Sequence, residues 1–191
     1  MSHYDLIIIG SGPSGKSAAI QAGKLKRKVL VIDRQPRLGG VSVHSGTIPS
    51  KTLRETVLNL TGWRERSFYG RSYRVKDEIA AGDLKSRLHK TLDYEVDVLE
   101  HQFNRNYVDT LCGLASFTGP NSVEVLTEAG ESTSLTAERF LICTGTKTFR
   151  PDWVPFNGTT ILDSDEFLDM QAIPRSLTVV GAGVIGVEYA T

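Results

Sequence analysis

Short, wholly apolar runs alternate along this chain with longer segments in which apolar positions recur every three or four residues. Leu6-Ile7-Ile8-Ile9 and Val29-Leu30-Val31-Ile32 are two such runs. Each reads as a central parallel strand buried on both faces. Between them, Gly10 to Gly15 turns the chain into a helix that is predicted to run to about Lys24. Strand, glycine turn, helix, strand is a βαβ unit. Pro49 sits where a further helix can begin, with Thr47 or Ser50 able to cap it. From Asp83, the positions Leu84, Leu88, Leu92, Val96, Leu99, Phe103 and Tyr107 predict one long amphipathic helix packed on the sheet. Ser116 to Leu135 alternates in short runs around the turn Glu128-Ala129-Gly130-Glu131, as a small antiparallel meander does. Phe140-Leu141-Ile142-Cys143 then returns as a buried strand.

Prolines 151, 155 and 174 mark a crossover after Thr146. Beyond it, Leu177-Thr178-Val179-Val180 predicts a new strand, followed by Gly181 to Gly186 and a helical Val187-Glu188-Tyr189-Ala190. One strand and part of a helix cannot bury a core. The expected organisation is therefore an α/β domain over residues 1–150, with a parallel sheet, a small meander and a long helix, and then, over 151–191, the truncated start of a second fold of the same type.

The composition narrows the functional classes. The 191 residues carry no formal net charge and are 40% hydrophobic. That suits a folded core and favours neither nucleic acid nor an anionic membrane as partner. The basic run from Lys24 to Lys28 reads as a solvated helix end and turn. Cys112 and Cys143 lie far apart in no metal-ligand spacing, and are expected to be buried free thiols in a reducing compartment. The start MSHYDLIIIGSG has neither the charged region nor the long apolar stretch of a secretion signal, and no run approaches membrane-spanning length. A soluble, cytoplasmic protein is expected.

The chemistry is carried by two glycine fingerprints. Gly10-Ser11-Gly12-Pro13-Ser14-Gly15 follows an apolar strand, opens a helix and has Asp33 at the end of the next strand. Gly10 permits the tight turn, Gly12 lets backbone approach a pyrophosphate, and Gly15 lets helix and strand pack closely. The helix N-terminus offers N–H groups and partial positive charge to phosphates. Asp33 can accept hydrogen bonds from both hydroxyls of an adenosine ribose. Gly181-Ala182-Gly183-Val184-Ile185-Gly186 repeats the pattern, with its ribose reader expected beyond Thr191. Two dinucleotide sites in one chain suggest electron transfer from one dinucleotide to the other.

Residues Gly39 to Lys51, GGVSVHSGTIPSK, resemble the active-site segment of the pyridine nucleotide–disulfide oxidoreductases. The likeness to that flavoprotein family extends over essentially the whole chain. Members carry a redox-active disulfide at the positions occupied here by Ser42 and Thr47. Neither hydroxyl can accept electrons or form a mixed disulfide. The resemblance implies FAD at the first fingerprint and NAD(P)(H) at the second. It implies FAD contacts from Gly10, Gly12, Pro13, Ser14, Gly15, Asp33 and Arg34, and from Gly39, Gly40, Ser42, Thr47 and Lys51. It adds Ala115, whose backbone would meet the adenine, and Thr144-Gly145, where backbone returns to the cofactor. Gly181, Gly183, Val184, Ile185 and Gly186 would hold the nicotinamide dinucleotide. Val41 departs from the hydroxyl residue that many members carry there.

By the same resemblance Lys51 and Glu188 are the catalytic pair. A fixed ammonium beside the flavin stabilises negative charge on it, and a carboxylate holds that ammonium in place. Ser42 and Thr47 are either polar loop and cap residues or, for Thr47, a hydrogen-bond donor to the flavin. His44 is not expected to act as a base. The implied activity is an FAD-dependent, ping-pong exchange of hydride between NADPH and NAD⁺, in a homodimer, without thiol or metal. A flavin NAD(P)H dehydrogenase or oxidase with a quinone or oxygen acceptor remains open. So does a catalytically inert FAD-binding fragment.

Overall fold

The structure is a computed structural model that describes residues 2–190. In chain order the first elements are β1 (Ser2–Ile9), α1 (Pro13–Lys24), β2 (Val29–Asp33), α2 (Gly40–His44) and α3 (Thr47–Leu60). They are followed by α4 (Arg66–Tyr69), α5 (Ala81–Arg105), β3 (Val108–Cys112), β4 (Leu114–Gly119), β5 (Ser122–Leu126), β6 (Ser132–Ile142) and α6 (Val184–Ala190). The chain divides into two compact units. One comprises residues 1–43 and 94–146, the other 44–93 and 147–191.

The first unit is built on a six-stranded sheet of order β3-β2-β1-β6-β5-β4. Strands β3, β2, β1 and β6 run parallel, and β6, β5 and β4 form the expected antiparallel meander. The apolar run Val29-Leu30-Val31-Ile32 lies buried on both faces, as its lack of alternation requires. On one face Tyr4, Ile7, Leu30 and Ile32 pack against Val123, Val125, Leu135 and Ala137 of the meander. On the other, Ile8, Val29 and Val31 pack against Ala19 of α1 and Leu99 and Phe103 of α5. Meander, parallel sheet and helices thus make three layers.

Several expectations need correction. Phe140-Leu141-Ile142 is not a separate strand but the end of β6, which pairs with β5 through Ser132–Thr136 and with β1 through Leu135–Ile142. It is not fully buried either, because Leu141 and Ile142 are exposed. Cys143 lies just past the strand end and is half-buried, while Cys112 is exposed, so the two thiols are not a buried pair. Tyr107 is not on the long helix. Its φ of 57° puts it in the left-handed turn after Arg105, where its side chain stands in solvent. The strand β3 had no clear signal, because Val108-Asp109-Thr110-Leu111-Cys112 mixes polar with apolar residues at the sheet edge.

The second unit contains α3, the short 3₁₀ turn Trp63–Glu65, α4, the start of α5, the crossover and α6. Neither Thr47 nor Ser50 caps α3. Its N-cap is Gly46, which has no side chain for the task, and the Ser50 hydroxyl donates to the Thr47 carbonyl instead. The crossover is held by Asp163, which accepts from Arg150 Nε at 2.7 Å and from the backbone N–H groups of Asp165 and Glu166 at 2.9 Å each. Arg150 also pairs with Glu166 at 2.9 Å. Leu177–Val180 does not form the expected strand. None of the six strands among the described residues pairs with it, and an unpaired strand has no ladder to satisfy its backbone. Its apolar side chains therefore remain exposed.

Candidate functional site

In the first unit, the end of β1 enters a turn that only glycine can make. Gly10 adopts φ 107°, and a Cβ there would collide with the carbonyl of Cys143. A Cβ on Gly15 would collide with the Gly10 carbonyl and press on Ile8, so the helix start sits directly on the turn. Gly12 is different: its missing side chain would point into open space. It is the N-cap of α1, carries no side-chain cap, and is followed by Pro13 at the first helical position. The first-turn N–H groups of α1, from Ser14 onward, have no partner within the helix, and the space a Gly12 side chain would fill is open beside them.

Gly40 borders this space. It has φ 60°, and a Cβ there would come within 3.0 Å of the Gly12 Cα. Gly39, at φ 119°, could not bear a side chain without striking Val43 of α2. Asp33 stands at the end of β2. Its Oδ2 accepts from the Ser11 N–H at 2.8 Å and from the Ser11 hydroxyl at 2.5 Å, and its Oδ1 accepts from the Gln35 N–H at 2.9 Å. The Ser11 hydroxyl also accepts from the Gly39 N–H at 2.9 Å. Ser11 is fully buried. Sequence reasoning passed over it, and its one signal was a hydroxyl set between two fingerprint glycines.

Arg34 follows on the exposed side of the same turn, and its carbonyl lies 3.9 Å from the Cys112 thiol. Ala115 is on β4, opposite Val125. The turn leading to it needs Gly113, whose Cβ would strike Val125. Thr144 and Gly145 follow β6, and Gly145 has φ 66°. Ser42 lies on α2.

In the second unit, Thr47 and Lys51 are one helical turn apart on the same face of α3. Lys51 Nζ lies 3.1 Å from Glu188 Oε1 of α6, so the two residues paired by the resemblance are in direct contact across 137 positions of sequence. Lys51 is largely exposed and Glu188 mostly covered. Beside Glu188, Tyr189 packs its ring on Phe167 at 5.0 Å. Burial, with Asp165 and Glu188 nearby, pushes its hydroxyl up to about 12.

The second fingerprint repeats the geometry of the first. Gly181 adopts φ 120°, and a Cβ on Gly186 would collide with the Gly181 carbonyl and press on Val179. The Val187 N–H donates to the Gly183 carbonyl at 3.0 Å, as Lys16 does to Gly12 at 2.8 Å. Val184 and Ile185 begin α6 and are exposed. The helix starts inside the motif rather than after it.

Two turns of this shape, each between an apolar run and a helix, define a protein built to hold dinucleotides. The chain belongs to the pyridine nucleotide-disulphide oxidoreductase family, whose model matches residues 4–191. It is 48% identical over its whole length to a soluble pyridine nucleotide transhydrogenase of Mycobacterium bovis (strain BCG / Pasteur 1173P2). It is 38% identical over 99% of its length to the protein so named from Stutzerimonas stutzeri (strain A1501). It spans 41% and 40% of those relatives, about two-fifths of their length. Among solved structures it resembles a copper(II) complex of the HOCl-induced flavoprotein disulfide reductase RclA from Escherichia coli. That match has a TM-score of 0.75 and 26% identity, and covers all of this chain and 40% of the other. FAD and NAD(P)(H) are the cofactors this membership implies. The open space at Gly12 fits a pyrophosphate. No helix among the described residues is long and apolar enough to cross a membrane.

Proposed function

We propose that the full-length protein is an NAD(P)⁺ transhydrogenase of the Si-specific, FAD-dependent type, exchanging hydride between NADPH and NAD⁺. The observation that carries this reading is the Lys51–Glu188 contact in a segment whose disulfide positions hold Ser42 and Thr47. The residues proposed to handle a flavin are kept, while hydroxyls stand at the positions that would carry dithiol chemistry. FAD, when bound, supplies the ring that accepts and returns the hydride.

The chain's own residues do the rest. Gly10, Gly12, Pro13, Ser14 and Gly15 present backbone to the FAD pyrophosphate, with Gly39 and Gly40 closing over it. Asp33 and Arg34 meet the adenosine ribose, Ala115 the adenine, and Thr144-Gly145 the returning cofactor backbone. Thr47 offers a hydroxyl on the same helix face as Lys51. Lys51 holds positive charge beside the ring, and Glu188 fixes its direction. Gly181, Gly183, Val184, Ile185 and Gly186 receive the nicotinamide dinucleotides in turn. The FAD-binding domain is assigned to residues 1–150 and the start of the nicotinamide domain to 151–191. The working form is a cytoplasmic homodimer.

Anaerobic stopped-flow absorbance on the full-length protein tests this. The flavin should bleach with NADPH and recover rapidly with NAD⁺. Recovery only with quinone or oxygen would overturn the transhydrogenase reading in favour of a dehydrogenase or oxidase.

A further inference from the structure

We infer that Ser11 is a positioning residue which saturates one oxygen of Asp33 and leaves that carboxylate able to hold only one of the two adenosine-ribose hydroxyls. The inference rests on the reading that the first fingerprint holds FAD. It follows from counting acceptor sites. An ionised carboxylate offers about four lone-pair positions, two on each oxygen. Both positions on Oδ2 are taken by the N–H and O–H of Ser11, at 2.8 and 2.5 Å. One position on Oδ1 is taken by the Gln35 N–H at 2.9 Å. A single position remains, on Oδ1.

The Ser11 hydroxyl cannot easily turn away. The residue is fully buried, so no bulk water competes for its proton. The Gly39 N–H already donates to its oxygen at 2.9 Å, which leaves the O–H to point at Asp33. Gly39 N–H, Ser11 O–H and Asp33 Oδ2 therefore form one directed chain, each bond polarising the next. The chain also ties the ribose acceptor to the Gly39-Gly40 turn that lies against Gly12. Asp33 is itself only half-buried, so a ligand can approach the residue.

The test is fluorescence titration of full-length apoprotein with FAD and with its 2′-deoxyadenosine and 3′-deoxyadenosine forms. In the unsubstituted protein one deoxy form should bind about tenfold more weakly than FAD, and the other within about twofold of it. Ser11→Ala removes one of the two donors that hold Oδ2, so the Asp33 carboxylate can turn and the difference between the two deoxy forms should narrow. Asp33→Ala should abolish the discrimination. Equal losses for both deoxy forms in the unsubstituted protein would overturn the inference, and this comparison stands even if a variant fails to fold. Uniform weakening of all three ligands by Ser11→Ala, with discrimination kept, would also overturn it by making Ser11 merely structural. No FAD binding at all by the unsubstituted protein would sink the FAD reading and the inference together. FAD binding with the wrong pattern sinks the inference alone.

Discussion

Lys51 stands largely in solvent while Glu188 is mostly covered, and an ion pair with one exposed member contributes little to stability. In the proposed reaction their value is in aiming charge. Lys51→Met should slow flavin reduction by NADPH by about tenfold to hundredfold, measured by stopped flow, with the melting temperature nearly unchanged. Glu188→Gln should give a smaller loss in the same direction. A large fall in melting temperature would mark the pair as structural instead. Gly10 is the opposite case. Gly10→Ala forces a side chain into the Cys143 carbonyl at a left-handed φ, so both soluble yield and FAD retention should collapse. The glycine turns were legible in the sequence because the fingerprints fix their shape at set spacing, and the Lys51–Glu188 contact was expected from the family resemblance. Ser11 was not legible, since a buried hydroxyl reveals its role only through the partners it meets. The same holds for the bonds that the Asp33 carboxylate accepts from Ser11 and Gln35.

Among the elements, the crossover before α6 depends on one carboxylate. Burial alone would push the Asp163 carboxyl up. Arg150 and the N–H groups of Glu166 and Asp165 outweigh it, so the group sits below its ordinary 3.8. A carboxyl held low in the folded state stabilises fully above its unfolded value, and that contribution is lost as pH falls through the folded one. Acidification below about pH 4 should therefore loosen residues 148–169 first, read by amide hydrogen exchange. Asp163→Asn should cost about 1–3 kcal/mol at neutral pH in urea unfolding and flatten the acid limb. Hydrophobic pattern predicted β1, β2 and the long α5, while the short α2 and α4 had no such signal. It failed at β3, where an edge strand is half polar, and at Leu177–Val180, where an apolar run lacks a neighbour to pair with. The glycine turn after that run still takes its full shape. Turn geometry is written in a few adjacent residues, while a strand is completed by another part of the chain.

For the molecule as a whole, the absence of thiols from positions 42 and 47 makes a clear demand. The double variant Cys112→Ser with Cys143→Ser should keep the proposed NADPH-to-NAD⁺ exchange, since neither cysteine lies in the Gly39–Lys51 segment. In the unsubstituted protein iodoacetamide should label exposed Cys112 before Cys143, whose thiol burial pushes up, as peptide mass spectrometry would show. Sedimentation of the full-length holoprotein should give a dimer. The fold class was readable because apolar runs, helical stripes and glycine turns all pointed to the same layered α/β arrangement. The handover of β6 between two partners was not, because a single continuous strand looked like two separate patterns.

That handover also sets a timetable. His3 and Thr136 meet across β1 and β6 although 133 positions separate them. A ribosome adding residues at typical speed needs on the order of 10 s to deliver the second strand after the first. Once β2 is made, Ile7-Ile8-Ile9 has a partner on one side and nothing yet made for the other. The nascent chain is most exposed to wrong pairing during those seconds, and it is β6 leaving the exit tunnel that ends the risk.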